Sequence, residues 1–117
     1  MSEFRELTEI INRFTEERDW GTFHSPKNLA MALSVEASEL VEHFQWLTED
    51  ESRNLDAKKL SEVADEIADV QWYLLRIADQ LGIDIPTAAK AKMEKNADKY
   101  PIELAKGNAT KYDRYEE

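Results

Sequence analysis

The sequence predicts an all-α fold of four amphipathic helices, and three observations support this prediction. Apolar residues recur at spacings of three and four along most of the chain, as they do on one face of an α-helix. Only 3 Gly and 3 Pro interrupt the 117 residues, which disfavours a strand-and-turn architecture. Apolar residues make up 42% and charged residues 34%, as in globular proteins. We therefore expect one domain over residues 1–117, ending in a polar tail over 103–117.

The first two helices are defined by their apolar stripes and by the residues that cap them. The stripe over residues 2–19 predicts the first helix, with Ser2 as its N-cap. Ser25 followed by Pro26 is a start signal, because Ser accepts free backbone N–H groups and Pro has no N–H to leave unpaired. The second helix should run from there to about Trp46.

Two further helices are predicted beyond a polar connection. Residues 48–59 lack apolar periodicity and indicate a loop with a short turn of helix. A third helix over residues 60–81 should end at Gly82, which suits a left-handed C-terminal cap. The fourth should begin near Asp84 and stop near Tyr100, because the following proline disfavours helical geometry in the residue before it.

Composition and charge exclude several kinds of function. The net charge of −10 repels a phosphate backbone, so we expect no binding to nucleic acid. The absence of Cys excludes thiolate metal sites and cysteine nucleophiles, and only His24 and His43 could supply imidazole ligands. The N-terminus is charged and no stretch is long and apolar enough to span a membrane, so the expected compartment is the cytoplasm.

Two acidic pairs are the strongest candidates for chemistry. Glu36 interrupts the apolar stripe of the second helix, and Glu39 follows it on nearly the same face. Glu66 and Asp69 have the same spacing on the third helix, beside its apolar side chains. Burying unpaired carboxylates costs several kcal/mol per ion, so this arrangement requires a cation, a proton or a solvent-filled cleft. Oxygen ligands without His or Cys suit Mg²⁺, with Mn²⁺ as a possible substitute.

Two alternatives stay open at this point. The same spacing relates Glu39 to Glu42 and Glu62 to Asp65, so the pairs could be drawn in another register. All of these acids could also form a solvated face, as in many acidic helices. We prefer the first register because Glu36 lies on an apolar stripe.

These residues resemble the MazG-like superfamily of all-α nucleotide pyrophosphohydrolases, whose signature is an ExxE helix followed by an ExxD helix. Here the two motifs are EASE at 36–39 and EIAD at 66–69. The similarity is greatest to the dCTP pyrophosphatase branch, through ERDW, FHSPKNL, FQW, the KM…N…YP pattern and a final KY.

The resemblance implies a MazG-like bundle that assembles as a dimer or a dimer of dimers. It also implies Mg²⁺-dependent cleavage of a nucleoside triphosphate between the α and β phosphates, giving a monophosphate and pyrophosphate. Glu36, Glu39, Glu66 and Asp69 would hold the metal, and Glu36 or Glu39 would accept the proton of the attacking water. The expected role is removal of unwanted nucleotides, with dCTP or modified pyrimidine deoxynucleotides as substrates.

The resemblance also assigns residues that would bind the nucleotide. Lys92 and Asn96, one turn apart on the fourth helix, would contact the substrate. The remaining candidates are aromatic or imidazole side chains near the base or its loop: Trp20, His24, Trp46 and Tyr73.

Two alternative functions remain at the level of sequence. One is a broad or dUTP-preferring member of the same superfamily, because some dCTP-specific relatives place a His where this chain has Ile11 or Asn12. The other is a non-catalytic helical module that binds nucleotide and metal, or acts as an oligomeric partner, without hydrolysis.

Overall fold

The computed structural model describes residues 2–115, and this part of the chain is helical with no strands. The all-α prediction is confirmed, but the count of four helices is not, because two short helices accompany four long ones. The six α-helices are α1 (Glu3–Glu17), α2 (Pro26–Glu42), α3 (Glu49–Arg53), α4 (Ala57–Gln80), α5 (Ile85–Lys99) and α6 (Ile102–Ala105). Two 3₁₀ turns cover Trp20–Phe23 and Tyr112–Arg114.

The helix starts follow the capping chemistry that the sequence predicts. The Ser2 hydroxyl accepts a hydrogen bond from the Arg5 N–H, and the Ser25 hydroxyl accepts one from the Asn28 N–H, each at 3.1 Å. Helix α3 forms within the predicted loop because Thr48 and Glu51 make a reciprocal capping box. These side chains satisfy N–H groups that have no partner within the helix.

The helix ends agree with the sequence at two positions and differ at a third. Gly82 has φ +67°, and the Ile83 N–H bonds to the Ala78 carbonyl, which is the predicted left-handed cap. Helix α5 ends at Lys99, directly before the expected stop. Helix α2 ends at Glu42 rather than near Trp46. After Glu42 the hydrogen bonds become turn-like, since the N–H groups of Phe44 and Gln45 both donate to the Val41 carbonyl.

The described residues divide into two compact units, one up to Ile83 and the other from Asp84 onward. In the first unit α4 packs against both α1 and α2. The apolar side chains buried there come from all three helices: Ile11, Leu29, Val63, Leu75 and Ala78. The second unit contains α5 and α6, and the Tyr100 ring packs edge-on against Tyr112 and Tyr115. Within residues 2–115, none of the helices has both the length and the apolar character needed to cross a membrane.

Leu29 is the side chain on which the packing of α2 depends most, since it is only 1% exposed. We expect Leu29→Ala to lower the free energy of unfolding by about 2–5 kcal/mol, because it removes buried methyl groups and leaves a cavity. Lys27→Ala, at an exposed position on the same helix, should change it by less than about 0.5 kcal/mol. Urea denaturation of both variants measures the difference, and equal midpoints would contradict the packing described.

Candidate metal and ligand site

Carboxylates from α2 and α4 converge where these two helices pack. Glu36, Glu39 and Glu66 each offer a carboxylate oxygen, and the three oxygens lie within 4.8 Å of one another. Glu36 and Glu39 are three residues apart and therefore project from adjacent turns of α2. We call Glu36, Glu39 and Glu66 the close group. Asp69 lies outside the close group and is exposed, but it lines the same small cavity as Glu36.

The close group contains buried carboxylate oxygens that lack hydrogen-bond partners. One oxygen of Glu36 and one of Glu66, Oε2 in each case, is buried without a hydrogen-bond partner. Burial, together with the hydrogen bond to Glu39 and the charges of the nearby Glu39 and Asp69 carboxylates, raises the pKa of Glu36 to about 7. Burial also raises the pKa of Glu66, with the charge of Glu39 acting in the same direction. The site therefore favours either a retained proton or a bound cation.

The donor set fits a hard divalent cation. Only carboxylate oxygens are present in the close group, and carboxylates are the ligands that Mg²⁺ and Mn²⁺ take in proteins. A cation would satisfy the two buried oxygens that no hydrogen-bond donor reaches. Soft or borderline metals would prefer His or Cys, and this chain has no Cys.

An aromatic cavity of about 220 Å³ adjoins the carboxylates. The Phe14 ring lies 5.6 Å from Trp20 and 6.5 Å from Trp72, both in edge-on geometry. Trp72 in turn lies 5.0 Å from Tyr73. The pKa of Tyr73 is raised by burial and by the charges of Glu36, Asp69 and Glu39, which places its ring beside the acids. Flat apolar walls next to a carboxylate group can hold a planar ring whose other end is bound to metal.

The sequence-predicted ligand residues are distributed unevenly around this site. Trp20 and Tyr73 line the cavity, and His24 packs against Trp20 at a ring distance of 6.2 Å. Trp46 is 86% exposed and does not line the cavity. Lys92 and Asn96 lie on α5, in the second unit. The roles of these six residues in binding remain predictions.

Phe14 and Trp72 were not predicted as ligand residues, although both line the cavity. The sequence offered no local signal for Phe14, which lies on the apolar stripe of α1. Trp72 points away from Asp69 on an isolated helix, so the sequence alone predicts packing or a subunit contact for it. Packing of α1 against α4 brings both rings to the cavity.

The structure also bears on the two possible registers of the acidic pairs. The close group joins Glu36 and Glu39 to Glu66, whereas Glu42 and Asp65 are exposed. Glu62 lies 3.7 Å from the Lys59 ammonium and 4.0 Å from the His43 ring. The three residues that belong only to the second register, Glu42, Glu62 and Asp65, therefore have either solvent or a cation partner. Among the described acids, the buried oxygens without a partner belong to Glu36 and Glu66 of the first register.

Comparison with known proteins identifies relatives over most of the chain. The sequence profile of the MazG-like family matches residues 31–114. Proteins called dCTP pyrophosphatase 1 are 40% identical in Rattus norvegicus and 39% identical in Homo sapiens, each over 92% of this chain. The chain spans 64% of the length of these relatives. A pyrophosphatase from Archaeoglobus fulgidus, whose crystal structure is known, is 43% identical in sequence. The two structures superpose with a TM-score of 0.81, and the alignment covers 86% of this chain and 94% of that one.

Proposed function

The chain belongs to the MazG-like family, and from this premise we propose that it is a Mg²⁺-dependent nucleoside triphosphate pyrophosphohydrolase. It would cleave the bond between the α and β phosphates and release a nucleoside monophosphate and pyrophosphate. The single observation that carries the proposal is the convergence of three carboxylates beside an aromatic cavity, two of which have a buried oxygen without a hydrogen-bond partner. The name of the relatives, dCTP pyrophosphatase 1, supports dCTP or modified pyrimidine deoxynucleotides as substrates.

The carboxylates would hold the metal, and the net charge of the chain explains why a metal is needed. A triphosphate carries about four negative charges, and a protein of net charge −10 with clustered acids repels it. Glu36, Glu39 and Glu66, joined by Asp69, would hold the ion. When bound, the ion neutralises charge on the polyphosphate and lowers the pKa of a coordinated water.

The remaining steps belong to side chains of this protein. Glu36 or Glu39 would accept the proton of the attacking water, as general bases do. The water oxygen bonds to the phosphorus on one side of the α–β bridge, and the P–O bond between that phosphorus and the bridging oxygen breaks. The products are the monophosphate and a pyrophosphate that contains the β and γ phosphates. Trp20 and Tyr73 would hold the base in the aromatic cavity, with Trp46 and His24 as further contacts. Lys92 and Asn96 would contact the nucleotide from α5.

A panel of triphosphates tests the proposal. The protein is incubated with Mg²⁺ and each canonical and modified deoxynucleotide, and the products are separated by ion-exchange chromatography. We expect monophosphate and pyrophosphate, fastest from dCTP-like substrates, and a faster dUTP reaction would reassign the base preference within the superfamily. Orthophosphate as the product would refute the cleavage position. Tight nucleotide binding in calorimetry without any product would favour the non-catalytic module instead.

The first unit exposes large apolar side chains, which supports assembly with further copies of the chain. Leu7 is 46% exposed and Ile10 57% exposed on α1, and Ile67 is 54% exposed on α4. We expect a homo-dimer or a dimer of dimers, because these side chains lose contact with water when copies associate. Sedimentation equilibrium measures the mass, and a monomer at micromolar concentration would contradict this expectation.

A further inference from the structure

A chain of polar contacts links α1 to α4 beside the aromatic cavity. The Arg76 Nη1 donates to the Asn12 Oδ1 at 2.8 Å, and the Asn12 Nδ2 donates to the Asp79 Oδ2 at 3.0 Å. Both contacts are part-buried and join residues that are more than sixty positions apart. Arg76 also donates from Nε to the His24 Nδ1 at 3.4 Å. The Arg76 guanidinium therefore bonds both to the Asn12 amide on α1 and to the ring of His24.

The contact with Arg76 determines the protonation of His24. A guanidinium is only a donor, so the Nδ1 of His24 must keep its lone pair and the ring proton must lie on Nε2. Burial lowers the pKa of His24, and the charge of Arg76 lowers it further. Both effects keep His24 neutral with its lone pair directed at Arg76.

The ring that Arg76 holds packs against two walls of the aromatic cavity. The His24 ring lies 5.6 Å from Trp72 at an interplanar angle of 87°, and 6.2 Å from Trp20 at 60°. Both indoles line the cavity beside Glu36. Since edge-on aromatic contacts depend on angle, a change in the His24 ring would change the shape of the cavity.

We infer that Arg76 is a positioning residue for nucleotide binding: through its hydrogen bonds to Asn12 and His24 it fixes Trp20 and Trp72 as walls of the base cavity. This inference rests on the proposed function. Arg76 sets how tightly the base is held, whereas Glu36, Glu39 and Glu66 serve the bond-breaking step. Its loss should therefore raise KM and leave kcat nearly unchanged.

The test compares Arg76→Gln with Arg5→Gln. Arg5 contacts Asp79, the second partner of Asn12, at 3.4 Å, and within residues 2–115 it forms no hydrogen bond with Asn12 or His24. It therefore controls for the loss of an arginine charge near this group. We expect Arg76→Gln to raise KM for the preferred triphosphate roughly tenfold with kcat within about twofold, and Arg5→Gln to leave both unchanged. Arg76→Lys should be intermediate, because one ammonium lacks the fixed fork that reaches both partners.

A spectroscopic measurement separates this inference from the proposed function. The ¹⁵N spectrum of His24 in the wild-type protein should show an unprotonated Nδ1 and a protonated Nε2, and Arg76→Gln should lose this single tautomer.

If circular dichroism shows that Arg76→Gln does not fold, Asn12→Ala removes the contact between Arg76 and α1 and should raise KM in the same direction. An unchanged tautomer and KM, or equal effects from Arg5→Gln, would overturn the inference. A wild-type protein that cleaves no triphosphate refutes the proposed function, while the nitrogen spectrum still decides whether Arg76 positions His24.

Discussion

Glu36→Gln is expected to reduce turnover by about 10²- to 10⁴-fold, the range for loss of a positioned general base. The amide is nearly the same size but carries no charge, so it binds a divalent cation poorly and cannot take a proton from water. Glu66→Gln should lose a comparable factor, because Glu66 provides the carboxylate of α4 in the close group. The rate of pyrophosphate release at saturating Mg²⁺ measures both effects.

The matched controls for Glu36→Gln also test the register of the acidic pairs. Glu42→Gln and Asp65→Asn remove the same charge from the same two helices at exposed positions. They should retain activity within about threefold, since exposed charges are screened by solvent. Loss of activity in these controls, with full activity in Glu36→Gln, would move the site to the other register. Helical circular dichroism should be the same in all the variants.

Metal-free protein is expected to become less stable as the pH rises through about 7, and Mg²⁺ should reverse the loss. The pKa of Glu36 is about 7 in the folded chain, compared with its ordinary value of 4.5. Between these two values the folded state binds a proton that the unfolded state releases, so the stability that this proton provides is present at low pH. It is lost as the pH rises through the folded-state pKa. The raised pKa of Glu66 acts in the same direction.

Thermal unfolding with and without Mg²⁺ measures this effect. At pH 8, Mg²⁺ at about one hundred times its dissociation constant should add about 2.7 kcal/mol of stability, because it binds only the folded site. The contribution of Glu36 is isolated by comparison with Glu36→Gln, which should be more stable than wild type at pH 8 without metal and should gain little from Mg²⁺. Glu42→Gln should behave like wild type. A wild-type melting temperature that rises from pH 5 to 8 more than that of Glu36→Gln would contradict the account.

The parts of the fold that the sequence predicted well are those set by local chemistry. Ser25 with Pro26 and Gly82 act through backbone groups within a few residues, so their effect is the same in any surrounding structure. Helix α3 was anticipated only as a short turn, because its capping box is a weak signal inside a polar stretch. The end of α2 was placed too late, since Phe44 continues the apolar pattern beyond the last helical residue.

The candidate site was predictable only in part, for a different reason. Glu36 could be recognised because it interrupts the apolar stripe of α2, a pattern that is visible in the sequence of that helix alone. The cavity walls could not be derived in this way, because Phe14 and Trp72 come from two helices and meet only when these pack. Arg76 lies one turn after Trp72 on α4, but its partner Asn12 lies 64 residues away in sequence, so no local pattern indicates their contact.

Anomalous diffraction from crystals soaked in Mn²⁺ tests most directly whether carboxylates of α2 and α4 share one divalent cation. The predicted result is an anomalous peak at bonding distance from the carboxylate oxygens of Glu36, Glu39 and Glu66, and no peak in Glu36→Gln. Crystals in which these side chains extend into bulk solvent, with manganese elsewhere or absent, would contradict the claim.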